Sequence, residues 1–165
     1  MEPGHGRCLW LDARLRRLRL GPDVVRRGAG VLLVARETGR ILLLRRSRTC
    51  SEPGTWAVPG GKVDQGENAR TTAIRELEEE AGWYGPVTVL KDPIFIFEAA
   101  GLEFLTYFGF VDGEFEPQIN EESSDWGWFS LGRLPIPLHF GVDALMRERR
   151  KSISTQIARI PQWPH

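Results

Sequence analysis

The sequence is poor in cysteine, with Cys8 and Cys50 alone among 165 residues. Two cysteines cannot staple a disulfide framework, and their spacing matches no metal-ligand motif. Reduced thiols in a cytoplasmic protein are the expectation. Net charge is also lacking, since 22 Lys+Arg balance 22 Asp+Glu. That argues against a protein that coats nucleic acid by bulk charge, while local patches stay open. No apolar run approaches the roughly 18 residues of a membrane span, so no membrane partner is expected. Residues 1–22 lack the apolar core of a secretory signal. Their Arg14, Arg16, Arg17 and Arg19 alternate with leucines, yet Glu2 and Asp12 run against a basic targeting leader.

What is present points to a folded α/β domain. Hydrophobic residues make up 41% and charged residues 27%, a globular balance. Eighteen glycines and 11 prolines predict many turns and loops. The length suits one domain, drawn over 26–150, with an Arg-rich extension over 1–25 and a tail over 151–165. Gly28–Ala35 and Ile41–Leu44, around the turn Glu37–Arg40, read as a buried β-hairpin. Trp56–Val58 reads as a short strand stopped by Pro59-Gly60-Gly61. Residues 68–82 form the clearest helix, with Ala73, Ile74, Leu77 and Ala81 on one face and Gly82 as its stop. Strands follow at 87–98 and 102–111, then an acidic loop over 112–125, a strand Trp126–Phe129 and a helix over 142–150. Strands on either side of one strong helix imply layered α/β architecture with a mixed sheet.

The chemistry concentrates between Gly60 and Trp83. At about 100° per residue, Glu76, Glu79 and Glu80 share one stripe of the helix while Glu78 lies on the far side. Like charges at i, i+3 and i+4 repel, so a solvated acidic face is the plain reading. This stripe borders the apolar face instead of opposing it, and a Gly-Gly turn and Glu67 precede it. Carboxylate oxygens grouped in this way suit a hard divalent cation such as Mg²⁺ or Mn²⁺. No His–Cys cluster favours zinc.

Gly61, five residues, Glu67, seven residues, Arg75-Glu76-Leu77, Glu79-Glu80, Gly82 and Trp83 fill every fixed position of a pattern. That pattern resembles the Nudix box of the Nudix hydrolase family, most nearly its antimutator-like branch. Trp83 is the one mild departure, standing where an aliphatic residue is usual. The resemblance covers roughly 26–150. It implies an α/β/α sandwich and Mg²⁺-dependent hydrolysis of a nucleoside diphosphate linked to another group. It makes Glu79, Glu80 and the Gly60 carbonyl metal ligands, and Glu76 a ligand or the base that activates water. Arg75 is expected to pair with Glu67 and hold the loop onto the helix, with Gly61, Glu67 and Arg75 structural.

Outside the box, the resemblance implies a further acidic ligand in the loop Asn120–Trp128. Glu122 is the choice, with Glu121 and Asp125 as rivals. Arg46 is expected to reach substrate phosphate, and His139 to touch substrate near the base. Trp56 reads as core. The leader arginines and the basic run from Arg147 read as solvated faces.

Substrate signals are thin. Phe97 and Glu98 stand where the ADP-ribose branch has a proline, and Ala99 and Ala100 where the dinucleoside polyphosphate branch has a tyrosine. The coenzyme A signature is only partly echoed by Leu42–Ser47, and no glutamine separates Pro59 from Gly60 as in RNA 5′-end enzymes. A nucleoside triphosphate, cleaved to monophosphate and pyrophosphate, is therefore the expected small-molecule substrate. Dinucleoside polyphosphates or RNA 5′ ends are the alternatives within enzymes. A catalytically silent nucleotide sensor is the alternative of another class.

Overall fold

The structure, a computed structural model, describes residues 25–99 and 101–160. The leader arginines and Cys8 lie outside the described residues. Strand β1 (Arg26–Ala35) is an almost unbroken apolar run, buried along nearly its whole length. Such a run needs cover on both faces. Alternate side chains supply it: Ala29, Val31, Leu33 and Ala35 enter one core, and Leu32 and Val34 the other.

Around β1 the other strands assemble as β2 (Ile41–Arg46), β3 (Trp56–Ala57), β4 (Gly60–Lys62), β5 (Thr88–Ala99), β6 (Leu102–Val111) and β7 (Ser123–Phe129). They form one seven-stranded sheet with the path β3-β2-β1-β6-β5, β4 pairing with β1 and β7 with β2. β1 runs parallel to β6 from Arg26↔Leu102 to Ala35↔Val111, and the other pairings are antiparallel. The sheet is mixed, as expected. Helix α1 (Ala69–Ala81) covers one face and α2 (Phe140–Arg159) the other, giving the α/β/α sandwich.

Three elements depart from the expectation. The hairpin partners β1 and β2 pair only at Val34↔Ile41. The edge of β1 from Gly28 to Gly30 is therefore left to β4, which pairs there through Gly60, Gly61 and Lys62. Pro59-Gly60-Gly61 thus leads into a strand where a stop was expected. The acidic loop gives way to β7 three residues early, at Ser123. The last helix begins at Phe140 and runs to Arg159, so the boundary drawn at 150/151 falls inside it. Ile153 and Ile160, each 1% exposed, pack into the α2-side core.

Helix α1 is defined by its ends. Asn68 caps it, its Oδ1 accepting from the Thr71 N–H at 2.9 Å. Gly82 ends it at φ 64°, a left-handed conformation that glycine adopts without strain. Its N–H donates to the Glu78 carbonyl, and a Cβ there would lie 2.6 Å from that of Gln118. Trp83 finds room because its ring stacks on Phe115 at 4.2 Å, and Phe115 meets Trp128 edge-on at 5.5 Å. Trp56 packs edge-on to Phe129 at 5.1 Å against the α2-side core, as expected of a core residue. Cys50 is disulfide-bonded, which corrects the reduced-thiol expectation.

Candidate active site

The apolar face of α1 sits on the sheet through Ala73, Leu77 and Ala81. That docking turns the adjacent carboxylate stripe toward β4 and the loop before β7. Glu80 is buried, and its Oε2 accepts from the Gly60 N–H at 2.9 Å. Glu76 has a side chain 12% exposed and lies against Gly61, where any Cβ would collide with its carboxylate. Glu79 is 54% exposed. The stripe therefore grades from buried to open along the helix surface.

Arg75 gathers this end of the site. Its guanidinium donates to Glu67 at 3.2 Å, to Glu76 at 2.9 Å, to Glu79 at 3.2 Å and to the Lys62 carbonyl at 3.0 Å. One planar fork thus fastens the loop before α1, strand β4 and the helix together. Thr72 Oγ1 also donates to Glu67 at 2.7 Å. The Arg75 hydrogen bond holds the Glu67 carboxyl below the usual carboxylate range. The expected Arg75–Glu67 pair is present.

The remaining carboxylates are pushed the other way. Burial raises Glu76 to about 7, against the pull of Arg75 and with the repulsion of Glu79 and Glu122 behind it. Burial also raises Glu80 well above its ordinary value, with Glu76 and Glu122 adding repulsion. Glu122 is raised by burial, then by Glu121 and Glu79, against Arg46. Four carboxylates from α1 and the loop before β7 therefore feel one another. Of the three loop acids, Glu121 and Asp125 are exposed and Glu122 is half-buried among the others. Asp125 Oδ1 accepts from the Trp126 N–H at 2.8 Å.

Arg46 faces this group from the end of β2. Its guanidinium donates to the Ser51 carbonyl at 2.7 Å and to Ser51 Oγ at 3.0 Å. Burial lowers its pKa, opposed by the charges of Glu80, Glu122 and Glu52. Arg45 beside it is exposed and turns to the Gly54 carbonyl.

Arg46 and Gly60 share a narrow cleft with Phe97, Thr106 and His139. His139 is 2% exposed and caps α2, its Nδ1 accepting from the Gly141 N–H at 3.2 Å. Its Nε2 has no hydrogen-bond partner. Burial, with the charge of Arg46, lowers it to about 3, so it is neutral at pH 7. Gly60 thus joins Glu80 of the stripe to the cleft that Arg46 and His139 line, Glu122 lies within electrostatic reach of Glu76, Glu80 and Arg46, and Glu67 and Arg75 brace the stripe.

Sequence reasoning missed Ser51, Thr72 and Asn120. Asn120 Nδ2 donates to the Glu79 carbonyl at 3.2 Å, and its Oδ1 accepts from the Glu122 N–H at 3.0 Å. An Asn just before an acidic pair signals a turn, but not a bridge between two elements.

Known proteins resemble this chain in sequence and in fold. A family model described as the NUDIX domain matches residues 24–149. A Bacillus subtilis (strain 168) protein, provisionally named an 8-oxo-dGTP diphosphatase, is 32% identical over 105 residues, 64% of this chain and 67% of its own. A Mycobacterium tuberculosis protein, provisionally named 8-oxo-dGTP diphosphatase 3, is 32% identical over 136 residues, 77% of this chain. The chain spans only 63% of that relative's length. Among solved structures, the Nudix hydrolase RenU of M. smegmatis superposes with a TM-score of 0.69 and 26% identity, covering 79% of this chain and 87% of that one. A C. elegans Ap4A hydrolase superposes with a TM-score of 0.64 and 26% identity, covering 78% and 98%. With the box complete, its helix capped at both ends and the family model matched across most of the chain, this protein belongs to the Nudix family.

Proposed function

We propose that this chain is a divalent-cation-dependent pyrophosphohydrolase that cleaves a nucleoside triphosphate to the monophosphate and pyrophosphate. The observation that carries the reading is the group of mutually repelling carboxylates, Glu76, Glu79, Glu80 and Glu122, set opposite Arg46. Their donors are all oxygen, which fits Mg²⁺ or Mn²⁺ and not zinc. Their repulsion is what a cation relieves. Glu79, Glu80 and Glu122 would hold it, with the Gly60 carbonyl and Glu76. Among the described residues no three acidic, His or Cys side chains already converge as a cage. Arg75 engages one oxygen each of Glu76 and Glu79 and leaves the second oxygen of each for an ion.

When bound, the ion supplies neutralising charge on phosphate oxygens and a more acidic water. The chain's own residues do the rest. Arg46 offers a guanidinium fork matched to phosphate oxygens. Glu76, set against Gly61 beside the other carboxylates, would act as general base or serve as a ligand. Arg75 and Glu67 keep the helix and the preceding loop in register. His139 meets the part of the substrate beyond the phosphates in the cleft beside Gly60.

The names of the relatives support a nucleoside triphosphate. The likeness to the Ap4A hydrolase favours a second reading, a dinucleoside polyphosphate. A panel of ordinary and 8-oxo nucleoside triphosphates, dinucleoside polyphosphates, ADP-ribose and 5′-triphosphate RNA, assayed with Mg²⁺, tests the choice. Pyrophosphate from one triphosphate supports the proposal. Turnover of a dinucleoside polyphosphate alone moves it to the second reading. Tight nucleotide binding without turnover makes the chain a silent sensor.

A further inference from the structure

Glu122 stands in a loop, where a carboxylate has no helix to set its direction. Its backbone is nevertheless fixed from two sides. Its carbonyl accepts from the Ser47 N–H at 2.8 Å, next to Arg46 on β2. Its N–H donates to Asn120 Oδ1 at 3.0 Å. The other half of the same amide, Nδ2, donates to the Glu79 carbonyl at 3.2 Å in the last turn of α1. Nearby, the Gln118 N–H donates to the Ala81 carbonyl at 2.9 Å, bringing the loop onto the helix end. One amide thus joins the main chain of Glu79 to the main chain of Glu122.

We propose that Asn120 is a positioning residue that registers the Glu122 loop against the carboxylate stripe of α1, so that both halves of the cation site are held at one spacing. The inference rests on the cation-dependent reading above. Asn is suited to the task because it offers a donor and an acceptor on one short planar group. Removing it leaves the Glu122 N–H and the Glu79 carbonyl without that bridge, and the loop carboxylate free to swing toward solvent. A group that orients a ligand without touching the ion acts through the ligand, so its effect disappears when the ligand is already disabled.

The test is a double-mutant cycle of Asn120→Ala and Glu122→Gln in the full chain. The readout is Mn²⁺ affinity from the electron paramagnetic resonance of the free ion, with a thermal melt on each variant. Asn120→Ser serves if Asn120→Ala loses its cooperative melt. The expected result is an affinity loss of about tenfold in each single variant, and a double variant within about twofold of Glu122→Gln. Amide exchange at Glu122 is also expected to accelerate in Asn120→Ala. A lowered melt with unchanged Mn²⁺ affinity would make Asn120 merely structural and overturn the proposal. Losses that multiply in the double variant would overturn it too, because Asn120 would then act apart from Glu122. A wild-type chain that binds no Mn²⁺ overturns the cation reading itself, a failure distinct from the other two.

Discussion

At the scale of single residues, the site is a problem in unbalanced charge. Glu76, Glu79, Glu80 and Glu122 crowd together, and Arg75 and Arg46 stand at its two ends. Arg75 is spent on structure, gripping Glu67 and the Lys62 carbonyl as well as the stripe. The three box glutamates were legible because the 100° wheel needs only their spacing. Their gradation from buried Glu80 to exposed Glu79 was not legible, because it depends on which way the apolar face docks. Asn120 was illegible for a related reason, since its two partners are carried by different elements. His139 carries a pH prediction. Its pKa is depressed to about 3 in the fold against about 6.5 unfolded, so the unfolded chain binds the extra proton between those values. Its contribution to stability is therefore complete above pH 6.5 and is lost as pH falls toward 3. Urea melts between pH 7 and pH 4.5 should show wild type losing more stability than His139→Asn, with a difference in slope of up to about 1.4 kcal/mol per pH unit. Asn preserves a cap on α2 without titrating. Parallel slopes would mean that the ring takes up its proton inside the fold.

At the scale of elements, α1 was readable because its signals agree: a cap at Asn68, an apolar stripe, and a glycine stop. β5 and β6 were readable as apolar runs either side of Gly101. β4 was not, because Gly60 and Gly61 carry no side chains to show alternation, and the strand exists only to fill the edge of β1 that β2 leaves. Its existence matters to the site, since β4 brings the Gly60 N–H to Glu80. The second half of α2 was missed because Lys151–Arg159 is mostly polar. Its signal was Ile153, Ile157 and Ile160, spaced to lie on one face. That half-helix carries a stability prediction. Ile153 is fully buried against the sheet, so Ile153→Ala should cost about 2–5 kcal/mol in chemical denaturation. A cost below about 0.5 kcal/mol would mean that α2 past Arg150 does not pack as described.

At the scale of the whole molecule, a mixed sheet covered on both faces fixes β1 and β6 as a rigid centre. The candidate site is drawn from α1, β4, the end of β2 and the loop before β7. No one of these elements holds the site alone, which is why a 23-residue motif could be read while Ser51 and Asn120 could not. No helix among the described residues is long and apolar enough to cross a membrane. The central claim is that the carboxylate stripe of α1 does the chemistry with a divalent cation. It is tested most directly by pyrophosphate release from a nucleoside triphosphate, titrated with Mg²⁺, in wild type and Glu79→Gln at matched folded fraction. Glu79 is exposed, so its neutral isostere should leave the thermal melt in place. The account predicts release that depends on Mg²⁺ in wild type and falls at least about a hundredfold in the variant, at low and high Mg²⁺ alike. A Glu79→Gln protein that turns over near the wild-type rate at low Mg²⁺ would contradict it.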